Sequence, residues 1–139
     1  VVVFVCHGGQ GNYLLSRRSQ NTRDENGKWE FNEGQLKWGE KVEVGLRREL
    51  KEELNLTAKR LEFTGYRDVH RVQNGRRDHW ISLDYLVQVN PRNVRLNERE
   101  KFDEIGWFRL NKLPRPLHSQ ALKTVKEIKM HLRNRKWGI

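Results

Sequence analysis

Glu49, Glu52 and Glu53 follow one another within five residues of a segment with helical hydrophobic spacing. At about 100° per residue, an α-helix projects these three carboxylates within an arc of roughly 100°, and Gly45 falls in the same sector. Leu46, Leu50 and Leu54 occupy the adjoining sector. Such a helix can bury its leucines against a sheet and carry the acids along the edge of that contact. Carboxylates held this close repel one another, and some must titrate high unless a cation sits among them. Hard oxygen ligands of this kind suit Mg²⁺, with Mn²⁺ as a substitute. Taken alone, the helix has an equally good plain reading. It could be a solvated Glu/Lys/Arg-rich surface helix, with i,i+4 pairs such as Arg48 with Glu52 contributing about 0.2–0.5 kcal/mol each.

The residues upstream change that balance. Gly34 is followed after five residues by Glu40, and after seven more by Arg48-Glu49-Leu50-Lys51-Glu52-Glu53-Leu54-Asn55-Leu56. This pattern resembles the Nudix box, G-x5-E-x7-R-E-U-x-E-E-x-G-U with U aliphatic, at every position except Asn55. Its six Gly, Glu and Arg positions would coincide by chance about once per million starting points, which decides against an ordinary surface helix. Asparagine is the next-best residue for a left-handed helix end, so the turn should survive the replacement of glycine. Asn32-Glu33 is a second departure, because relatives usually have small residues just before Gly34. The likeness extends beyond the 23 residues of the box. Trp29-Glu30-Phe31 is similar to the family's lead-in strand, Leu15-Ser16-Arg17-Arg18 to its second strand, and Glu104-Ile105-Gly106-Trp107-Phe108 with Leu113-Pro114 to its closing region.

The resemblance implies an α/β class chain with the Nudix fold, an α/β/α sandwich around a mixed central sheet, in a single domain over residues 1–139. It implies that Glu49, Glu52 and Glu53 bind the metal, that Arg48 orients their carboxylates, and that Glu40 and Gly34 shape the loop and helix start. Glu33 would offer a backbone carbonyl to the metal. A further carboxylate in the loop before the closing strand serves many relatives as ligand or general base; by position that residue is Glu100, with Glu98, Asp103 and Glu104 competing. Arg17 or Arg18 would clamp a phosphate, and one of the two should point away. Trp80, Tyr85 and Phe102 offer aromatic faces for a base, Trp80 foremost, although each also suits a core. His70 and His79 lie in strand-like runs and carry no assigned role. Cys6, among valines, reads as packing.

These side chains must be positioned by the elements around them. Residues 1–6 and 13–16 read as two strands of a hairpin around a Gly-rich turn, and residues 19–28 as a polar loop. A helix is expected from about 41 to 54. Strands at 61–72 and 79–89 flank a polar turn at 73–78 containing Asn74-Gly75, the strongest hairpin signal in the chain. Another strand spans 105–110. A last helix is marked by Leu122, Val125, Ile128 and Leu132, with Lys123, Lys126 and Arg133 on its opposite face.

The bulk properties fit this picture. A chain of 139 residues forms one compact domain. With 28 Lys and Arg against 18 Asp and Glu, its net charge of +10 favours anionic partners. A single cysteine excludes an intramolecular disulfide and points to a reducing cytoplasm. No apolar run approaches the ~20 residues of a membrane span, so no membrane partner is expected. Because Val1 already lies inside a strand pattern, the natural N-terminus is expected to lie upstream. The expected partner is a small-molecule nucleotide, bound by a monomer or homodimer. The expected reaction is water attack on a diphosphate linkage of a nucleoside triphosphate or related derivative. Two alternatives stand beside it. The charge and the arginines at 67, 71, 76 and 77 would suit RNA 5′-end hydrolysis, a less favoured reading, and the Asn32-Glu33 departure would suit a nucleotide-binding module without turnover.

Overall fold

A computed structural model describes residues 1–136. In chain order the strands are β1 (Val2–His7), β2 (Tyr13–Arg18), β3 (Trp29–Glu30) and β4 (Asn32–Gly34), then helix α1 (Val42–Leu54), then β5 (Arg60–Gln73), β6 (Arg76–Gln88) and β7 (Phe102–Phe108), and finally helix α2 (Ala121–Lys136). A short 3₁₀ turn at Pro91–Asn93, opened by the Asn90 side chain accepting from the Arg92 N–H, precedes the loop to β7.

The strands form one mixed sheet in the order β3-β2-β1-β6-β5, with β4 against β1 and β7 against β2. β1 and β6 run parallel, Val2 opposite Leu83 through His7 opposite Gln88, while the other pairs are antiparallel. The same edge of β1 meets β4 at its start, Val2 opposite Gly34, and β2 at its end, His7 opposite Tyr13. The sheet therefore divides along β1. Ser16 and Asn32 meet across that division, with the Ser16 hydroxyl 3.0 Å from Asn32 Oδ1.

Strand alternation assigns the two faces. Val2, Phe4, Cys6, Leu14, Tyr85 and Val87 point to one face and bury Leu46, Leu50 and Leu54 of α1. Val3, Val5, Leu15 and Leu86 point to the other and bury Ala121, Val125 and Ile128 of α2. Each fully buried leucine contributes about 1.5–3 kcal/mol, which is what pins α1 and fixes the direction of its acidic edge. The expected α/β/α sandwich is the one observed, and among the described residues no helix is long and apolar enough to cross a membrane.

Local differences have physical reasons. The turn expected at 73–78 contracts to Asn74-Gly75, both with positive φ (51° and 76°), so the hairpin closes over two residues and both strands lengthen. The segment around Trp29 splits, because Trp29 and Glu30 pair with β2 whereas Asn32 to Gly34 pair with β1. In α2, Leu122 is exposed and Ala121 is buried in its place. The docked stripe runs Ala121, Val125, Ile128, and Leu122 lies about 100° around the helix from its start.

Candidate active site

The loop before α1 and the helix itself are tied by one guanidinium. Arg48 donates to Glu40 through Nε (2.7 Å) and Nη2 (2.9 Å), to the Gln35 carbonyl through Nη2 (3.0 Å), and to Glu49 and Glu52 through Nη1 (2.9 and 3.1 Å). Glu40 also accepts from the Lys37 N–H at 2.9 Å. These bonds, those from Arg48 above all, hold the Glu40 carboxyl down at about 2. Glu40 thus closes the loop from within.

Two glycines make room for these acids. A Cβ on Gly34 would stand 2.4 Å from Glu49 Cγ and 2.7 Å from Glu49 Oε2, and one on Gly45 would stand 2.4 Å from Leu36 Cδ2 and 2.7 Å from Glu40 Oε1. At the other end of the helix, Asn55 takes the left-handed conformation (φ 59°, ψ 28°); its N–H donates to the Lys51 carbonyl and the Leu56 N–H to the Leu50 carbonyl. The turn survives without glycine.

Glu53 is fully buried. Its Oε1 accepts from the Asn32 amide at 3.2 Å, and its Oε2 has no hydrogen-bond partner among the described residues. Burial pushes its carboxyl up to about 8; Lys101 and the Asn32 bond oppose the rise, while the charges of Glu98 and Glu49 add to it. A buried carboxylate with an orphaned oxygen and acidic neighbours is a donor set that a hard divalent cation satisfies. Glu49 and Glu52 both accept from Nη1 of Arg48, and among the described residues the three helix acids do not converge within 4.8 Å.

Beside this cluster a cavity of about 520 Å³ opens between the sheet and α2. Glu33, Gly34 and Glu49 line it together with Arg18, Lys101 and Trp80. Arg18 donates to Glu30 (2.9 Å) and Asp24 (3.1 Å). Arg17 points elsewhere, pairing with Asp103 (2.7 Å) and Glu104 (3.1 Å) over the Trp29 ring. One of the two arginines reaches the cavity and the other does not. Tyr85 and Phe102 are buried in the core, and Trp80 keeps 41% of its surface exposed.

In the loop before β7, the Glu100 side chain is exposed and does not line the cavity; its backbone carbonyl accepts from the Ser19 hydroxyl. Glu98 is the acid of this loop whose charge acts on Glu53. The loop is latched to the end of α1, with the Arg95 N–H on the Leu54 carbonyl (2.9 Å) and the Asn97 N–H on the Glu53 carbonyl (3.0 Å).

Sequence reasoning missed the cavity floor. There Arg67 pairs with Asp84 (2.7 Å) and Thr124 (2.9 Å), Ser82 bonds Asp84, and Glu127 of α2 stands 3.3 Å from Arg67. The Nη1 of Arg67 and the Oε1 of Gln120 are buried without partners among the described residues. Alternation along the β5–β6 hairpin, placing Arg67, Val69 and Arg71 on one face with Trp80 and Ser82, was the available signal.

Residues 1–128 match the model of the NUDIX domain. A MutT NUDIX hydrolase from Burkholderia pseudomallei is 27% identical over 92% of this chain and 98% of its own, with a TM-score of 0.76. The NUDIX domain of Shewanella oneidensis NrtR, solved with ADP ribose, is 15% identical over 94% and 84% of the two chains, with a TM-score of 0.71. A C. elegans Ap4A hydrolase is 17% identical over 96% and 95%, with a TM-score of 0.66. The likeness to the last two is one of fold. With the family model matching residues 1–128, all but the final residues of the chain, the chain belongs to the NUDIX family.

Proposed function

We propose that this chain is a Mg²⁺-dependent hydrolase that cleaves a diphosphate linkage in a nucleoside triphosphate or a related nucleotide derivative. The observation that carries this reading is Glu53, buried with one carboxylate oxygen unpartnered and within the field of Glu98 and of Glu49, the last of which lines a cavity that also holds cations and a tryptophan. Bound Mg²⁺ supplies Lewis-acid chemistry, making water a better nucleophile at neutral pH and offsetting charge on the phosphate oxygens. Glu49, Glu52 and Glu53 would hold it, with the Glu33 carbonyl as a further oxygen.

Arg48 keeps the acids oriented through its bonds to Glu40 and Gln35, so that their charge is organised before substrate arrives. Arg18 and Lys101, which line the same cavity as Glu49, attract the substrate's phosphates. Trp80 offers an exposed aromatic face along the same wall, where a base can stack. We assign the proton-accepting role to Glu98 in place of Glu100, on the ground that Glu98 is the acid of the loop before β7 whose charge acts on Glu53. Glu33 stands beside Gly34 on the cavity wall; Glu33→Gly should leave turnover equal or higher if the residue only crowds the loop.

The test is incubation with Mg²⁺ and a panel of nucleoside triphosphates, oxidised nucleotides, ADP-ribose, dinucleoside polyphosphates and 5′-triphosphorylated RNA. Products are separated by chromatography, with Glu53→Gln alongside. The expected result is turnover of one class by the native chain and a loss of roughly 10³-fold or more in the variant, with an unchanged circular dichroism spectrum. Near-native turnover in Glu53→Gln overturns the site. Nucleotide binding without turnover anywhere in the panel overturns the enzyme reading in favour of a binding module.

A further inference from the structure

The β5–β6 hairpin carries a second group of ligand-type side chains on the face turned away from the cavity. His70 and His79 are direct cross-strand partners, and Asp68 lies two residues from His70 on the same face. Their rings sit edge to face with centroids 4.3 Å apart, and His79 Nε2 is 2.7 Å from Asp68 Oδ1. One ligand atom from each of the three lies within 4.8 Å of the others, and all three residues are exposed.

We propose that Asp68, His70 and His79 form a binding site for a borderline divalent transition metal such as Zn²⁺ or Ni²⁺, separate from the carboxylate cluster of α1. Nitrogen donors select such ions over Mg²⁺, and two imidazoles with one carboxylate form a three-ligand set whose fourth position is open to water. Around a tetrahedral ion at ~2.0–2.1 Å, ligand atoms stand about 3.3 Å apart, a separation between the 2.7 Å of the His79–Asp68 pair and the 4.8 Å that bounds the group, so small side-chain rotations suffice to reach it. The antiparallel register does the positioning, because directly opposed residues and their diagonal neighbours on one face lie within side-chain reach of each other.

The other histidines are engaged differently. His7 accepts from the Gly9 N–H, His118 is held against Glu25 and His131 against Glu62. Among the described residues, Asp68, His70 and His79 are the one group of three such side chains drawn this close. An ion here would bridge the two strands whose opposite faces carry Arg67, Arg71 and Trp80 along the cavity. It would staple that wall from behind.

The test uses the untagged chain, titrated calorimetrically with Zn²⁺ in excess Mg²⁺ so that carboxylate sites are already occupied. One zinc equivalent is expected in the native chain. The double variant H70Q/H79Q should lose at least about tenfold in affinity, and D68N should weaken it less, whereas E53Q should retain it. Cu²⁺ substituted at the site should show nitrogen hyperfine structure in its electron paramagnetic resonance spectrum. Absence of zinc binding overturns the proposal, as does affinity unchanged in a folded H70Q/H79Q chain or lost in a folded E53Q chain. Failure of nucleotide hydrolysis leaves this result unaffected, because the titration reads metal alone.

Discussion

Gly34 is small because the Glu49 side chain occupies the volume a methyl group would take, and Gly45 because Leu36 and Glu40 do. A methyl on Gly34 meets Glu49 at 2.4 Å from Cγ, with the acid itself held by Arg48. Gly34→Ala is therefore expected to cost about 1–3 kcal/mol in urea unfolding and to lower turnover by displacing Glu49. A chain with native stability and native turnover would show that Glu49 has room the structure does not reveal. Arg48 is the second residue whose chemical type matters more than its charge. It contacts Glu40, Glu49, Glu52 and Gln35 from one planar fork, which an ammonium group cannot reproduce. Arg48→Lys should reduce kcat/KM by about 10–100-fold and raise the Mg²⁺ concentration needed for half-maximal activity. Loss of kcat/KM with the Mg²⁺ requirement unmoved would point away from the acids as the group it positions.

At the scale of the element, α1 is stopped where it must be by a residue other than glycine. Asn55 sits at φ 59° with its N–H on the Lys51 carbonyl, and its side-chain amide reaches the Asn93 carbonyl at 3.3 Å. Asn55→Ala should cost about 1–2 kcal/mol in urea melts, because alanine has no short polar side chain to offset the strain of its Cβ in this conformation and the side-chain bond is lost. Asn55→Gly should lie within a few tenths of a kcal/mol of the native chain, trading the amide bond for backbone freedom. The cap matters beyond stability, since the loop carrying Glu98 is hydrogen-bonded to the same helix end at Leu54 and Glu53. The β5–β6 hairpin makes a parallel case. Its two-residue turn fixes the register, and the register decides that Arg67 and Arg71 face the cavity while Asp68 and His70 face away.

Across the whole molecule, α2 is joined to the sheet by polar groups as well as by Val125 and Ile128. Burial pushes the Glu127 carboxyl up to about 8; a hydrogen bond shared with Asp84 and the Asp84 charge raise it further, against the pull of Arg67. An unfolded glutamate titrates near 4.5. Between those values the folded chain holds a proton that the unfolded chain has released, so this group's stabilisation is present at low pH and lost as pH rises through about 8. Glu53 and Glu30, pushed by burial to about 8 and about 7, act with the same sign. Glu127→Gln should therefore flatten the decline of metal-free stability between pH 4.5 and 8, measured by thermal melts across that range. An identical decline in the variant would remove Glu127 from the account and leave it to the other two acids.

The sequence by itself determined the site's backbone address. Spacing from Gly34 through Glu53 placed the acids on one arc of one helix, the leucine stripe placed that helix on a sheet, and Asn74-Gly75 marked the turn of the hairpin. These are local matters, set by helical and strand periods and by which residues tolerate positive φ. Tertiary structure decided what comes together from distant segments. Strand alternation sends Arg17 and Arg18 to opposite sides, and it is the packing around β2 that made Arg18 the one lining the cavity and Arg17 the one paired with Asp103. Tertiary structure also brought Glu98 rather than Glu100 within electrostatic reach of Glu53, through two backbone bonds to the end of α1. It built the cavity floor from Arg67, Asp84 and Thr124, residues 57 positions apart at the extremes. No short-range pattern encodes such meetings, because burial and charge act through space while sequence spacing records only position along the chain.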